Sequence, residues 1–296
     1  MELTWLTKLR IIAVIITGVV IIGILAWPLV SPHDPFGAVR FSNLSFLRAV
    51  ILVFLAFGVG FIAYFISWPY GREIGTLAVP SGLAVWAGRS GDMAELILFN
   101  PTLPQRQALF ASLKWEPFFW LLIILAGFVG VLFGQKICSK FQKDETPLKF
   151  NPKPKECLNA GVALFGSAFI AYLFIKILAQ NFKTSDNAIV TQPVIGQIIF
   201  AVFISFGFSA FIIRKFLGTG LFWPVTSSVL ITFFALNTYA KQDKLLTFEQ
   251  NWPAIFFPTS VVSILPIQMV VFGTLGAIAG YWLAISSSHH VKHEAK

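Results

Sequence analysis

The residues that could take part in chemistry are few in this sequence. Among 296 residues there are 4 His, 2 Cys and 13 acidic residues. His289, His290 and His293 have the spacing with which one face of a helix presents two imidazoles to a metal ion. The pattern lacks a third ligand fixed elsewhere, and chain ends are usually poorly ordered. We therefore expect a polar tail over 287–296, no metal site and no cofactor.

Ionisable residues avoid the interior of the long apolar stretches. No Asp, Glu, Arg or His lies in the middle of any such stretch, which argues against paired-His haem binding, intramembrane Ser–His proteolysis and a carboxylate proton relay. Lys176 is the one charge inside a predicted helix, and we favour an ammonium that reaches the membrane interface over a cation lining a pathway. An enzyme would need catalytic groups from loop pairs such as Arg72 with Glu73 or Asp92 with Glu95.

Uncharged polar residues near proline-interrupted segments form the remaining candidate site. In transporters, a broken helix frees main-chain groups that can contact a substrate. The chain has such an interruption at Pro80, and Pro258 and Pro266 produce another beside Gln268. The alternative is that these polar side chains bond to their own helices. The candidate substrate-pathway residues are Pro80, Lys176, Gln197, Ser227, Asn237 and Gln268.

The composition identifies the environment that these residues occupy. Hydrophobic residues make up 56% of the chain and charged residues only 12%, against about 25% charged residues in soluble domains. A water-soluble fold of this size could not cover its surface, and a disordered chain would be rich in charge. The sequence therefore predicts an integral membrane protein.

Eight stretches are candidate membrane spans. Crossing the hydrocarbon core takes about 20 mainly apolar residues, and seven stretches approach that length. The stretch 74–88 has only 15 residues with Pro80 inside it, so a short crossing and a re-entrant segment are both open. We interpret 253–265 as a short interfacial or half-membrane piece. The predicted spans are 11–30, 49–70, 74–88, 117–137, 158–180, 192–213, 221–240 and 266–286.

The distribution of Lys and Arg favours eight spans over seven. Basic residues collect in short cytoplasmic loops. With eight spans, the side that holds both termini receives 13 of the 22 basic residues, whereas seven spans give 10 against 12. We expect an all-α polytopic membrane protein, a bundle of about eight transmembrane helices forming one domain. We expect it in the cytoplasmic membrane of a bacterium, with both termini in the cytoplasm.

Two long loops connect these spans. The basic loop 136–156, bracketed by Cys138 and Cys157, is predicted to be a cytoplasmic linker, where the thiols stay reduced. A strip that binds anionic lipid is the alternative. In the external loop 89–116, Leu109 and Leu113 stand one helical turn apart beside Phe110, which predicts a short amphipathic helix in the interface. A lid over a site is the alternative there.

Small residues recur every four positions in three of the predicted spans. This spacing lets two helix backbones approach closely in lipid. We favour packing inside the bundle, with the last span as the best candidate for contact with another protein. These residues are Ala126, Gly130, Gly134, Ala163, Ser167, Ala171, Gly276, Gly280 and Ala284.

Two classes of function stay open on these observations. The first is a non-catalytic membrane protein that acts as a structural, assembly or accessory component of a membrane complex. The second is an uncoupled carrier or channel for a neutral or lipid-like solute, and an enzyme is a distant third. The expected partners are the lipid bilayer and a membrane protein or second copy. Nucleic acid is not expected, because no loop combines dense basic residues with stacking aromatic residues.

Overall fold

A computed structural model describes residues 4–32, 37–142, 154–180, 192–250 and 260–294. All regular secondary structure in these ranges is helical, as the sequence predicts. Short turns occupy Trp27–Val30, Phe41–Asn43, Gly71–Ile74, Gly75–Leu77 and Ser260–Ser263. The longer helices are α1 (Trp5–Gly18, continued by a π-helical Val19–Leu25), α2 (Phe46–Ile66), α3 (Ala78–Arg89), α4 (Met93–Leu98), α5 (Leu103–Leu113), α6 (Glu116–Gln142), α7 (Pro154–Leu178), α8 (Ile195–Leu217), α9 (Phe222–Tyr239), α10 (Gln242–Gln250) and α11 (Pro266–Glu294).

Within the described ranges, six helical stretches are long and apolar enough to cross a membrane. They correspond to six of the eight predicted spans, although the first begins earlier, at Trp5, and the third begins at Leu103 instead of 117. They are Trp5–Leu25, Phe46–Ile66, Leu103–Ser139, Cys157–Leu178, Ile195–Leu217 and Pro266–Ser287.

The other two predicted spans are helical but do not meet that description. The stretch 74–88 falls within two short turns and α3, and the stretch 221–240 is α9. In the first, the continuous helical stretch over 71–89 is long enough, but Arg72, Glu73 and Arg89 make it less apolar. In α9, Thr226, Ser227 and Asn237 interrupt the apolar sequence. The predicted loop 136–156 and piece 253–265 are described only in part, since 143–153 and 251–259 lie outside the described residues.

The chain divides into two compact units. Unit 1 comprises Met1–Ser31, Leu44–Trp86 and Leu121–Gly161. Unit 2 comprises Pro32–Asn43, Ala87–Trp120 and Val162–Lys296. These are units of packing, and the single transmembrane domain expected from the sequence stays a prediction.

In unit 1, α1 and α3 run parallel in close contact. Gly18 faces the main chain of Ala78, and one turn further Gly23 faces the side chain of Val85. A Cβ at Gly18 would overlap the carbonyl oxygen of Ala78. The indole N–H of Trp86 donates a hydrogen bond to the Gly23 carbonyl oxygen at 3.2 Å. Glycine is required at position 18 because the two backbones meet there without room for a side chain.

The helices α2 and α6 also run parallel to each other. Gly127 lies against the carbonyl oxygen of Ala56, and two turns further Gly134 lies against the ring of Tyr64. Gly60 faces the backbone of Gly127 so closely that a Cβ there would overlap the Gly127 carbonyl oxygen. The small residues of α6 therefore face α2 inside unit 1.

The helix α3 runs antiparallel to α6 and is enclosed by protein. Val79 packs on Gly127, and Gly75, in the turn before α3, packs on Val131. Leu83 and Trp86 are fully buried. A short helix that begins near a proline is tolerated in a bilayer where protein surrounds it, because its free main-chain groups do not face lipid. Pro80 is the third residue of α3 and follows the short turn Gly75–Leu77.

In unit 2, α7 and α8 are antiparallel, and α8 and α11 are parallel. The hydroxyl of Ser209 on α8 donates to the carbonyl oxygen of Ser167 on α7 at 3.1 Å. A Cβ at Gly280 would overlap the carbonyl oxygen of Gly207, and Gly276 makes the same contact one turn earlier, with Phe203. The small residues of α7 and α11 are therefore also used inside their own unit.

The helix α9 runs antiparallel to α11. Ser228 lies against Gly273 in the interior of α11, whereas Tyr239 at the end of α9 shares a cavity with Val262, which precedes α11. Taken with the directions of α7 and α8, this brings four helix termini to one end of unit 2. We call it the polar end: α7 and α9 finish there, and α8 and α11 begin there.

Candidate functional site

A buried ion pair lies at the polar end of unit 2. The Nε atom of Arg40 is 3.5 Å from Oε1 of Glu116, and the Arg40 Nη2 atom donates to the Ser112 hydroxyl at 2.9 Å. Glu116 is 1% exposed, and the Arg40 side chain is 17% exposed. Because Glu116 is the first residue of α6, its carboxylate also benefits from the positive end of the helix dipole.

The main chain around Arg40 is fixed by neighbouring residues of unit 2. The N–H of Val39 donates to the Ser90 hydroxyl at 3.0 Å, and the N–H of Gly91 donates to the Gly37 carbonyl oxygen at 3.3 Å. These bonds hold the segment 37–43 against the end of α3. The Arg40 guanidinium therefore joins the loop 37–43 to the start of α6.

The Arg40 Nε atom and the Trp120 indole nitrogen are buried without a hydrogen-bond partner among the described residues, whereas the Glu116 carboxylate faces the main-chain N–H groups of Phe41 and Ser42. The ion-pair distance of 3.5 Å is longer than the roughly 2.7–2.9 Å of a charge-assisted hydrogen bond. Such a site can hold a segment in place or contact a small polar molecule. The part of the chain that the structure describes contains no group of three His, Cys, Asp or Glu that could hold a metal ion.

Sequence reasoning missed Arg40 and Glu116. Each stands in a loop, and a pairing across 76 positions leaves no local pattern. One signal was present, because Glu116 directly precedes Pro117 and an apolar run, the pattern of a helix N-terminus. That pattern indicates where the helix starts but does not indicate which basic residue pairs with Glu116.

Two of the candidate pathway residues act as caps at the polar end. The Gln197 amide donates to the carbonyl oxygens of Leu178 and Gln180, at 3.1 and 3.0 Å, where α7 ends. The Gln268 carbonyl oxygen accepts from the Leu265 N–H at 3.2 Å, and its amide donates to the Ala87 carbonyl oxygen at 3.4 Å. Both glutamines therefore satisfy main-chain groups freed where helices end or begin.

The other four pathway residues are dispersed. The Ser227 hydroxyl is buried and donates to the Pro224 carbonyl oxygen at 2.7 Å. Asn237 accepts a hydrogen bond from the Lys114 ammonium at 3.3 Å. Lys176 is exposed in the last turn of α7. Pro80 belongs to unit 1, whereas the other candidates belong to unit 2.

The predicted amphipathic segment is α5, whose apolar face packs on protein. Leu109, Phe110 and Leu113 are buried, and the rings of Phe110 and Tyr239 lie 4.9 Å apart. The amide of Gln107 donates to the Ala240 carbonyl oxygen at 3.4 Å. The helix α5 therefore covers the end of α9.

Asp92 begins α4 and is linked to the start of α8. Together with Glu95 it forms a capping box, and the Ala94 N–H donates to the Gln192 side-chain oxygen at 3.0 Å. Burial raises the pKa of Asp92 above its ordinary value, and the neighbouring Glu95 carboxylate raises it further. A hydrogen bond from Gln192 acts in the opposite direction.

An apolar groove of about 450 Å³ separates α7 from α9 in unit 2. Phe165, Phe169 and Tyr172 line it on one side, and Phe234 and Thr238 line it on the other. Its volume lies within the range of about 300–1,000 Å³ typical of ligand pockets. The lining suits a hydrocarbon chain.

The remaining residues with possible chemistry are two cysteines and the histidines near the end of α11. Cys138 and Cys157 are free thiols. The side chains of His289, His290 and His293 lie outside the described residues, although the helix α11 continues to Glu294. No family model matches the chain, and neither a curated protein nor a solved structure matches it.

Proposed function

We propose that this protein is a non-catalytic integral membrane protein and a structural, assembly or accessory component of a membrane complex. The observation that carries this proposal is the use of its polar side chains. Gln197, Ser227 and Gln268 bond to main-chain groups, and Asn237 bonds to Lys114. The bonds from Gln197 to Leu178, from Gln268 to Ala87 and between Asn237 and Lys114 join separate segments of unit 2. The Ser227 hydroxyl bonds within its own helix. Polar side chains that are used in these two ways leave little capacity for a substrate and suit a scaffold.

We further propose eight crossings, with both termini in the cytoplasm of a bacterium. The alternating helix directions support this topology, since α3 runs antiparallel to both α2 and α6, and α9 runs antiparallel to α8 and α11. The continuous helical stretch over 71–89 is about 28 Å long and α9 is about 27 Å long, at 1.5 Å per residue. Each is close to the roughly 30 Å of the hydrocarbon core.

Cysteine labelling tests the crossing by α3. In a Cys138→Ser/Cys157→Ser background, Arg72→Cys and Gln105→Cys place single exposed thiols before and after α3. We expect a membrane-impermeant maleimide added to intact cells to label Gln105→Cys and leave Arg72→Cys unlabelled until the cells are opened. Equal labelling of the two variants would show that both positions lie on one side of the membrane, which leaves seven crossings.

A partner has to dock on faces other than the small-residue stripes. Those stripes are occupied within each unit, whereas Phe46 and Phe54 on α2 are 86% and 71% exposed. A photoreactive residue at Phe54 is expected to cross-link to a second membrane protein or copy. The same residue at buried Ala56, on the same helix, is the matched control.

Mass measurement in native membranes decides whether a complex exists. In lipid particles cut from membranes without detergent, we expect a protein mass above the 32.8 kDa of one chain. We also expect the Phe54 probe to report the same partner. A single chain with no cross-link from any exposed face would contradict the proposal.

A carrier for a lipid-like solute is the second candidate, and the groove between α7 and α9 favours it. Liposomes that contain the purified chain and a fluorescent phospholipid test this candidate. Solute or lipid flux above that of protein-free vesicles, altered in Gln268→Leu, would support the carrier. Sealed vesicles with static lipid would exclude it.

A further inference from the structure

We propose that the groove between α7 and α9 binds an anionic phospholipid, with one acyl chain in the groove and the phosphate at the polar end of unit 2. The apolar lining supplies the first part of the argument. Phe165, Phe169 and Phe234 expose 67%, 65% and 62% of their surface, so the groove opens outward rather than into the core. Hydrocarbon is the material that such a surface meets in a bilayer.

The charge at one end of the groove supplies the second part. Lys176 stands one helical turn beyond the groove residue Tyr172, on the same face of α7. Lys241 follows the end of α9 two residues after Tyr239. Both lysines are exposed, and their placement at the same end follows from the parallel directions of α7 and α9.

A third cation lies close to the same end. The Lys114 ammonium is bonded to Asn237, the neighbour of the groove residue Thr238. Asp243, in the first turn of α10, is the nearest acidic residue in sequence to Lys241. Other carboxylates near this end are already engaged, since Glu116 pairs with Arg40, and Asp92 and Glu95 cap α4. The three lysines therefore favour a phosphate over a neutral headgroup, at about 1 kcal/mol for each lysine near a charged membrane surface. The occupant that fits both the lining and the charge is therefore an anionic glycerophospholipid.

The inference is independent of the proposed function, because a lipid can occupy this groove in an isolated chain. The test uses the full chain in detergent, titrated separately with phosphatidylglycerol and phosphatidylcholine, with bound lipids counted by native mass spectrometry. We expect the wild-type chain to retain phosphatidylglycerol more tightly than phosphatidylcholine.

The charge is tested with Lys176→Gln/Lys241→Gln. We expect the preference for phosphatidylglycerol to fall about 25-fold, since about 1 kcal/mol per lysine corresponds to about fivefold. The matched control is Lys8→Gln/Arg48→Gln, which removes two exposed charges from unit 1 and should keep the preference. Exposed lysines do not support the core, and unchanged thermal midpoints verify that the variants fold.

The groove itself is tested with Ala168→Phe, which places a ring among the lining residues. We expect this variant to lose the tightly held lipid, whereas Val162→Phe, 49% exposed on the same helix, should retain it. Equal retention of the two lipids by the wild type would overturn the proposal. So would loss of preference in the control pair. Unchanged lipid retention in Ala168→Phe would also overturn it. The same holds if this variant keeps its lipid and loses a bound protein, because a protein would then be the occupant of the groove.

Discussion

In unit 1 the helices meet mainly through glycines that face carbonyl groups, whereas unit 2 adds a set of side-chain hydrogen bonds at one end. Gly18 and Gly60 leave no room for a Cβ, so the geometry of unit 1 depends on the absence of side chains. In unit 2, Gly276 and Gly280 play this part along one helix pair, and Arg40 and Gln268 hold the polar end. Backbone contact without side chains suits a region facing hydrocarbon on its outside, because it uses packing alone. Polar bonds suit the end where helices begin and finish, because main-chain groups there need partners.

The largest effect is expected from Arg40→Met in unit 2. Removing one partner leaves the Glu116 carboxylate buried without its counter-ion, which costs about 3–5 kcal/mol of unfolding free energy. The double variant Arg40→Met/Glu116→Leu should lose less, because no buried charge is left alone. Unfolding in mild detergent, followed in both variants, measures the difference. Equal losses would contradict the prediction, because they would show that an unpaired Glu116 carboxylate costs no more than its replacement by leucine.

The next effect is expected from Gly60→Ala in unit 1. The added Cβ would overlap the carbonyl oxygen of Gly127, and overpacking of this kind costs about 1–3 kcal/mol. The control is Gly58→Ala on the same helix, where a Cβ meets nothing within 4 Å and stability should hold or rise. The thermal midpoints of the two variants decide whether contact or helix propensity controls α2.

A comparable or smaller effect is expected from Gln268→Leu. The Leu265 N–H would lose its acceptor inside the protein, at a cost of about 1–3 kcal/mol for a buried group left unpaired. Gln197→Leu should cost less, because one of its two bonds is to Gln180, an exposed residue. If the two variants lose equal stability, burial does not determine the importance of these caps.

The smallest effect is a pH dependence at Asp92. Because its pKa is raised in the folded protein, the folded state holds the proton more tightly than the unfolded state. The stability from this group is present below the ordinary pKa of about 4 and is lost as the pH rises through the folded value. The thermal midpoint of the wild type relative to Asp92→Asn should therefore fall as the pH rises above about 4. Asp243→Asn, at an exposed position, is the control, and a flat difference would contradict the prediction.

The sequence predicted most helices because a helix that faces lipid has to be apolar along its whole length. Six spans follow from this rule alone. The stretch 74–88 was ambiguous for the same reason: α3 is enclosed by protein, so it does not need the length of a lipid-facing helix. In α9, Ser227 and its neighbours bond to their own helix, which lets polar residues occupy a buried segment.

The small residues that recur every four positions show what a sequence pattern predicts and what it leaves open. Their spacing identified Gly130, Gly276 and Gly280 as positions of close approach, and glycines at these positions do lie against neighbouring backbones. The pattern could not choose between a neighbour in the same chain and one in another protein. A Gly280→Leu variant would therefore disturb the α8–α11 contact itself and is unsuited to testing a partner.

Composition alone indicated that this chain belongs in a bilayer. The sequence also places almost no charge inside the predicted spans, since each helix has to face lipid along its own length. Tertiary structure decided which helices are neighbours, that α8 and α11 are parallel, and that Arg40 meets Glu116. Those outcomes depend on contacts between residues far apart in the chain. The spacing of residues along one helix does not predict such contacts, because any apolar helix can pack on any other until shape and hydrogen bonding select one arrangement.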